Sequence, residues 1–149
     1  MKLAVGSDHA GFALKKELVE WLTSQGHMVV DVGTHSTDAA DYPDFAQKVS
    51  HEVIEHRAER GIIVCGSGVG ACVAANKIKG IRAGMCHDTF SARQGVDDDD
   101  MNTLCLGARI IGGELAREVV KAFLNAKFSG LERHQRRLNK VLAIEAAGK

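Results

Sequence analysis

The stretch that decides the fold is GIIVCGSGVG, residues 61–70, in which an apolar run leads directly into three closely spaced glycines. A continuously apolar segment predicts a strand that is buried on both faces, which is typical of parallel sheets. Glycines between such a strand and a helix form a turn whose backbone N–H groups can point at an anion or oxyanion. The stretch therefore predicts a βα unit with a candidate binding loop at the carboxyl end of its strand.

Similar units precede and follow this stretch. Apolar segments predict strands at residues 3–6, 28–33, 61–65, 81–86 and 103–106, and helical periodicity predicts helices at 14–25, 45–54, 69–77, 91–96 and 114–124. This alternation predicts an α/β fold, a single-domain doubly wound (Rossmann-like) sandwich with a five-stranded parallel sheet. A charged segment at residues 133–147 predicts a C-terminal helix that packs on its own domain or on a partner subunit.

The composition narrows the class of protein. The length of 149 residues suits one domain covering 1–149. Lys plus Arg and Asp plus Glu both number 19, so charge gives no reason to expect nucleic acid or an acidic membrane as a partner. No apolar run approaches the ~18 residues of a spanning helix, and the N-terminus lacks the apolar length of a signal peptide. We expect a cytoplasmic domain with a small-molecule site.

The cysteines do not form a zinc pattern, and no metal site is predicted from their spacing. Cys65, Cys86 and Cys105 have apolar neighbours and are predicted to be buried reduced thiols. Cys65 has a second interpretation, because it stands directly before the glycine loop. A thiol at a helix start has a lowered pKa, which suits a nucleophile or a general base.

The glycine loop also matches a competing motif. Gly66-x-Gly68-x-x-Ala71 fits the dinucleotide fingerprint, and Asp88 lies 22 residues after Gly66, near the expected spacing of ~20 for a ribose-binding acid. The motif follows the third predicted strand and not the first, which counts against a dinucleotide site. An NAD-binding domain therefore stays as an alternative.

Other candidate residues follow predicted strands or lie on the predicted C-terminal helix. Asp8 and His9 end the first strand and Arg109 follows the fifth, so all three belong at the edge where parallel sheets bind ligands. Arg133 and Arg137 are spaced i, i+4 on one helix face and could clamp a phosphate, or could form a solvated basic face. The acidic run 97–100 is predicted to be a solvated helix end.

In combination these segments resemble the type B ribose-5-phosphate isomerases, within the wider family that includes galactose-6-phosphate isomerase subunits. The matching segments are 7–12, 41–43, 65–70, 74–77, 80–83, 102–107 with Arg109, and 133–137. They are spread in order over nearly the whole chain. The Asp-His start combined with the Cys-Gly-x-Gly-Val-Gly loop is highly specific.

The resemblance implies an aldose–ketose isomerase that interconverts ribose 5-phosphate and ribulose 5-phosphate through a cis-enediolate, without metal or other cofactor. The alternatives are an isomerase of another aldose phosphate, such as a hexose 6-phosphate, and a non-catalytic sugar-phosphate or nucleotide-binding module. The resemblance also implies a site shared between two subunits of a homodimer or tetramer, with the C-terminal helix reaching across.

The resemblance assigns roles to individual residues. Cys65 corresponds to the base that moves a proton between C2 and C1, and Ser67 lies near the sugar hydroxyls. The loop N–H groups would hold the enediolate oxygen as in an oxyanion hole. The remaining substrate-binding positions, with arginines at the phosphate, complete the expected site: Asp8, His9, Tyr42, Gly66, Gly68, Val69, Gly70, Arg109, Arg133 and Arg137.

The sequence departs from the pattern at two positions. Ribose-specific members commonly have a ring-opening His where this chain has Asp98, and often Asn where it has Asp99. Because a carboxylate is ordinarily ionised at neutral pH, Asp98 is a poor proton donor but can act as a base. We expect Asp98 to take part in ring opening and Asp99 to contact the sugar, or ring opening to be slower, moved to another group or adapted to a different aldose phosphate.

Overall fold

Five parallel strands form one sheet in the computed structural model, which describes residues 1–148. The strands are β1 Lys2–Ser7, β2 Met28–Asp31, β3 Arg60–Cys65, β4 Ala83–Met85 and β5 Thr103–Gly107. The helices are α1 Phe12–Ser24, α2 Tyr42–Ile54, α3 Val69–Ala75, α4 Thr89–Asp99, α5 Gly113–Asn125 and α6 Glu132–Gly148. The spatial order of the strands is β2-β1-β3-β5-β4.

The helices cover both faces of the sheet, which confirms the predicted doubly wound sandwich. Apolar side chains of α1, α4 and α5 share one buried cluster with one face of the central strands. Side chains of α2 and α3 form a second cluster on the opposite face. The chain changes direction between β1 and β3, and ligands of open α/β sheets bind at such a switch point.

The predicted strand boundaries are wrong mainly at the two edges of the sheet. The predicted strand 28–33 ends at Asp31, and the predicted strand 81–86 is reduced to Ala83–Met85. Each of these strands has only one neighbour, so fewer ladder hydrogen bonds extend it. The edge position also explains why Met28 is 63% exposed despite its apolar character.

The last helix packs against its own chain. His134 and Leu138 of α6 are buried, and the Glu145 carboxylate accepts a hydrogen bond of 2.9 Å from the Gly80 N–H. Val141 and Ile144 remain exposed. Contact between α6 and a partner subunit stays a prediction. Within residues 1–148, no helix has the length and apolar character needed to cross a membrane.

A buried lysine connects α1 to the end of β2. Lys15 is only 1% exposed, and its Nζ lies 2.8 Å from both carboxylate oxygens of Asp31 and 2.7 Å from the Thr34 carbonyl oxygen. A buried charge is costly unless it is paired and hydrogen-bonded. Here three acceptor contacts meet that requirement, and they fix the start of the loop 34–41.

We expect Lys15→Met to lower the free energy of unfolding by about 3 kcal/mol, because it leaves the Asp31 carboxylate without its buried partner. Urea denaturation measures the change. Lys16→Met is the matched control, since Lys16 is exposed on the same helix, and its effect should stay within about 0.5 kcal/mol. Adding Asp31→Leu to Lys15→Met should recover part of the loss. Equal stability of the two lysine variants would contradict the assignment.

Candidate active site

A pocket of about 390 Å³ lies at the switch point between β1 and β3. Its walls come from the ends of β1, β3 and β5 and from the start of α2. The lining residues are Asp8, His9, Ala10, Tyr42, Cys65, Gly66, Ser67, Gly70, Arg109 and Ile110. The pocket therefore gathers eight of the predicted site residues, and its volume falls within the range of small-molecule sites.

The glycine loop wraps around the Cys65 thiol. Cys65 is 4% exposed, and its Sγ accepts a hydrogen bond of 3.2 Å from the Gly68 N–H. Gly68 has φ of 83°, and a Cβ there would lie 3.0 Å from the Leu106 carbonyl carbon. Only glycine adopts this conformation without strain, so the loop can fold back over the thiol.

Some backbone N–H groups of the glycine loop donate hydrogen bonds within the loop, and others are left free. The N–H of Gly68 points at the thiol, and the N–H of Val69 donates to the Ser67 hydroxyl at 3.2 Å. Within the described chain the N–H groups of Gly66, Ser67 and Gly70 have no acceptor, and all three residues line the pocket. These three are the better oxyanion donors. The predicted contribution of Val69 is weakened further because its side chain is 51% exposed and does not line the pocket.

Tyr42 forms one wall through close contact with the loop. A Cβ added at Gly70 would lie 2.7 Å from the Tyr42 ring, so the ring packs directly on the glycine backbone. Tyr42 is the first residue of α2, and Pro43 follows it at a position where proline favours helix initiation. This arrangement places the Tyr42 ring in the wall of the pocket, where its predicted contact with substrate stays a prediction.

The polar groups opposite the loop are held by backbone contacts. The Asp8 carboxylate accepts a hydrogen bond of 3.0 Å from the Gly11 N–H. His9 Nδ1 lies 3.1 Å from both the N and the O of Ala40. The Arg109 guanidinium lies over Gly66, since a Cβ there would come within 3.6 Å of it. The pocket therefore combines a thiol, an imidazole and a cation.

Asp98 and Asp99, which are also predicted site residues, lie at the opposite edge of the sheet. Helix α4 starts after β4 and ends just before β5, so Asp98 and Asp99 lie at the amino edge. Asp98 Oδ1 is 3.3 Å from His134 Nε2, and His134 Nδ1 is 2.6 Å from the Ser129 hydroxyl. This places the start of α6 next to the end of α4. A single chain does not bring these groups to the Cys65 pocket.

Arg133 and Arg137 project from α6 beside this cluster. Both are exposed, and neither forms an ion pair with an acid among residues 1–148. Arg136, on the same helix, pairs with Glu132 at 2.6 Å. The two arginines expected to bind phosphate are therefore free cations in the described chain.

Three of the four aspartates in the acidic run 97–100 are paired with other side chains. Asp97 pairs with Arg93 at 3.0 Å, and Asp100 pairs with Arg82 at 2.8 Å. Asp98 also accepts a hydrogen bond of 2.6 Å from Gln94. Asp99 is exposed and lines a separate apolar cavity of about 490 Å³. None of the four residues is buried, in keeping with the predicted solvated helix end, but three of them are paired, two with side chains of α4 itself and one with Arg82.

The remaining cysteines differ in their chemistry. A hydrogen bond with the Cys105 thiol lowers the pKa of half-buried Cys72 to about 7, against the effect of burial. Burial raises the pKa of Cys86 to about 11. A hydrogen bond with Cys72 and complete burial raise the pKa of Cys105. The predicted burial of Cys65, Cys86 and Cys105 is confirmed.

The dinucleotide interpretation does not agree with the topology. Asp88 follows β4, which is separated from β3 by β5. Its carboxylate accepts a hydrogen bond of 2.7 Å from the Ser91 N–H and caps α4. An acid on a strand that is not adjacent to the glycine loop lacks the geometry of the fingerprint.

Comparison with known proteins identifies a family whose model matches most of the chain. A family model described as Ribose/Galactose Isomerase matches residues 3–141. The chain belongs to this isomerase family. It is 44% identical over 144 residues to ribose-5-phosphate isomerase B of Escherichia coli, covering 97% of this chain and 96% of the relative.

Two further family members are similarly close. A D-erythrulose-4-phosphate isomerase of Pectobacterium atrosepticum is 40% identical, covering 87% of this chain and 86% of the relative. The solved structure of Clostridium thermocellum ribose-5-phosphate isomerase B has a TM-score of 0.97, with 42% identity and 100% coverage of both chains. The family resemblance inferred from the sequence is confirmed.

We expect iodoacetamide to alkylate Cys72 with a pH midpoint near 7, because its pKa is lowered to about 7 and only the thiolate reacts. Cys86 should stay unreactive up to about pH 10, since its pKa is raised to about 11. Peptide mapping by mass spectrometry at a series of pH values measures both. In denaturant the cysteines should react alike, with midpoints near the ordinary value of ~8.5. A native midpoint for Cys72 at that value would contradict the assignment.

Proposed function

We propose that this protein is a cytoplasmic aldose–ketose isomerase that interconverts ribose 5-phosphate and ribulose 5-phosphate. The observation that carries the proposal is the Cys65 thiol, buried at the wall of the switch-point pocket beside free backbone N–H groups. Family membership and the named activity of the Escherichia coli relative support it. The free thiols are in keeping with a reducing compartment.

In the proposed mechanism Cys65 acts as the base. Its thiolate removes the proton from C2 of the open-chain aldose, and the electron pair moves to the carbonyl oxygen at C1. The N–H groups of Gly66, Ser67 and Gly70 stabilise the resulting enediolate oxygen. The proton of O2 then passes to the enediolate oxygen O1, and the Cys65 thiol delivers its proton to C1 as O2 becomes the carbonyl. The Ser67 hydroxyl positions the sugar, and no cofactor takes part.

The complete site needs two copies of the chain. Among residues 1–148, Arg109 is the only arginine that lines the Cys65 pocket, whereas Arg133, Arg137 and Asp98 lie at the other edge of the sheet. A homodimer that places the amino edge of one copy over the pocket of the other would unite them. Exposed apolar side chains near the β4 edge give such a dimer a surface to bury: Val69, Val73, Met85 and Phe90.

A second candidate substrate is D-erythrose 4-phosphate. One relative is named a D-erythrulose-4-phosphate isomerase, and four-carbon sugars phosphorylated at O4 cannot close a five-membered ring. Such a substrate needs no ring-opening group at position 98. A hexose 6-phosphate is a third candidate substrate, and a non-catalytic role in binding a sugar phosphate or nucleotide is the competing hypothesis.

Comparing the turnover of ribose 5-phosphate, D-erythrose 4-phosphate and a hexose 6-phosphate decides among these substrates. We expect Asp98→His to raise turnover of ribose 5-phosphate and leave that of the four-carbon sugar unchanged, because an imidazole there can exchange a proton with the ring. An unchanged or lower rate on ribose 5-phosphate would contradict a role for position 98 in ring opening.

We expect Cys65→Ser to lower kcat for ribose 5-phosphate by at least about 10²-fold, because a serine hydroxyl ionises far less readily than a thiol and so supplies almost no ionised base at neutral pH. A coupled assay of ribulose 5-phosphate formation measures the rate. Cys86→Ser is the matched control, since Cys86 is equally buried but lies outside the pocket. Equal loss in both variants would indicate a packing effect, and full activity of Cys65→Ser would remove Cys65 from the mechanism.

We expect inactive Cys65→Ser and inactive Arg137→Ala proteins to complement each other when they are mixed and allowed to exchange subunits. A heterodimer then contains one intact site, with Cys65 from one copy and Arg137 from the other, so activity should recover to about a quarter of the wild-type value. Mixing Cys65→Ser with Cys65→Ala is the control and should give none. No recovery in exchanged heterodimers would place both residues in one chain's site.

A further inference from the structure

Three cysteines share the face of the sheet that α2 and α3 cover. Cys65 and Cys105 are buried members of the apolar cluster on that face, and the half-buried Cys72 of α3 packs against the same cluster. Cys86 belongs to the cluster on the opposite face. The proposed mechanism uses Cys65 alone. Cys72 and Cys105 are therefore a pair of neighbouring thiols that isomerisation leaves without a role.

The two thiols of this pair are in direct contact. The Cys105 S–H donates a hydrogen bond to the Cys72 sulfur. Cys105 is held in the middle of β5, where it is paired with Ile63 of β3 on one side and with Met85 of β4 on the other. Cys72 approaches it from the short helix α3 above the sheet. A second thiol in contact is the partner that an oxidised cysteine needs in order to form a disulfide.

Hydrogen-bond donors surround the Cys72 sulfur. The Asn76 Nδ2 lies 3.5 Å from it, and the Met85 N–H and the Cys105 S–H also donate to it. The Asn76 amide is itself fixed, because it donates to the Ala83 carbonyl oxygen at 2.9 Å and accepts the Ala83 N–H at 2.8 Å. These donors stabilise the thiolate against the effect of burial and lower the pKa of Cys72 to about 7. A large share of Cys72 is therefore thiolate at neutral pH, the form that reacts with oxidants.

The two cysteines differ in their access to solvent. Cys72 is half-buried, and Asn76 and Ala83, which both contact its sulfur, line the apolar cavity of about 490 Å³. A molecule as small as a peroxide can approach the sulfur from that cavity. Cys105 is completely buried, and burial together with the hydrogen bond to Cys72 raises its pKa, so it stays a protected thiol. An accessible thiolate beside a protected thiol is the arrangement of a reacting and a resolving cysteine.

We propose that Cys72 and Cys105 form a reversible redox-modification site, which takes hydrogen peroxide as its oxidant and whose disulfide displaces the glycine loop. The Cys72 thiolate attacks one peroxide oxygen, the O–O bond breaks, and the hydroxide that leaves is protonated by solvent. The Cys105 sulfur then attacks the Cys72 sulfur of the sulfenic acid, the S–O bond breaks, and the departing hydroxide takes the Cys105 proton. The two thiols lose two electrons, and the peroxide is reduced to two molecules of water. A dithiol reductant reverses the change by thiol–disulfide exchange.

Two hydrogen bonds connect this site to the catalytic thiol. The Cys72 N–H donates to the Gly68 carbonyl oxygen at 3.1 Å, and the Gly68 N–H donates to the Cys65 Sγ at 3.2 Å. A covalent bond between two sulfurs is much shorter than a hydrogen-bonded contact between them, so oxidation draws the start of α3 towards β5. The loop N–H groups then move relative to Cys65. We expect turnover to fall, a consequence that rests on the proposed function, whereas formation of the disulfide does not.

Mapping of disulfides in the full-length protein tests the site without an assay of activity. The protein is treated with a molar excess of hydrogen peroxide at neutral pH, and the remaining thiols are blocked with N-ethylmaleimide. Tandem mass spectrometry then locates the link, with fragmentation to distinguish Cys72 from Cys65, which share one tryptic peptide. We expect a link between Cys72 and Cys105 that dithiothreitol removes. A link through Cys65, or no link at all, would overturn the proposal.

Trapping of the intermediate tests the order of the two steps. In Cys105→Ala the sulfenic acid of Cys72 has no resolving thiol, so dimedone should label Cys72. Thermal melting checks that Cys105→Ala keeps its fold. Cys72→Ser is the second variant, and it should give neither the label nor the link. Labelling of Cys105 in Cys72→Ser, with none of Cys72 in Cys105→Ala, would contradict the assigned roles.

Turnover of ribose 5-phosphate tests the coupling to the catalytic loop. Peroxide should lower kcat of the wild-type protein by at least about tenfold, because the oxyanion donors move, and dithiothreitol should restore it. Cys72→Ser should keep the untreated rate and resist peroxide, whereas the control Cys86→Ser should be inhibited like the wild type. Equal inhibition of Cys72→Ser would indicate direct oxidation of Cys65 and overturn the coupling.

The two readouts separate this proposal from the proposed function. If the untreated protein does not isomerise ribose 5-phosphate, the proposed function is wrong, and the disulfide map still decides whether Cys72 and Cys105 form a redox site. If the disulfide forms in an active enzyme and kcat is unchanged, the displacement of the loop through Gly68 is wrong. A disulfide accompanied by a reversible loss of kcat supports both parts of the proposal.

Discussion

The buried ammonium of Lys15 is the interaction on which the arrangement of the pocket depends. It joins α1, the last residue of β2 and the start of the 34–41 loop through contacts of 2.7 and 2.8 Å. That loop in turn holds the His9 imidazole through Ala40. A buried ammonium that loses its hydrogen-bond acceptors is strongly destabilising, so the start of the loop has little freedom to move away from Lys15. The wall of the pocket opposite the thiol is therefore built on an electrostatic requirement of the core.

Parallel βα units impose the second constraint. Every strand delivers its following loop to the carboxyl edge, and every helix returns the chain to the amino edge. Cys65 ends a strand and His9 follows one, whereas Asp98 lies in the last turn of a helix and Arg133 in the first turn of another helix next to it. Groups at the two edges of one sheet cannot meet within one chain. The division of the predicted site is thus a consequence of topology, and a second copy is the simplest way to unite the halves.

The sequence predicted the doubly wound sheet and the pocket because those depend on local signals. Continuous apolar runs mark buried strands, and the glycines after Cys65 mark the loop. It did not predict that Lys15 is buried, since its helical position gives no sign that Asp31 and Thr34 converge on it from elsewhere. The pairing of Asp98 with His134 was missed for the same reason. The two edge strands were predicted to be too long, because a run of apolar residues does not reveal how many neighbouring strands will pair with it.

The buried lysine also has a thermal consequence. The hydration of charged groups becomes less favourable as temperature rises, so the cost of keeping an ammonium dry decreases on warming. On warming, the contacts of Lys15 with Asp31 and Thr34 therefore contribute more to stability relative to the apolar clusters that hold the helices on the sheet. Heating should loosen the periphery of this fold, such as the exposed end of α6, before it releases the loop that carries the pocket wall.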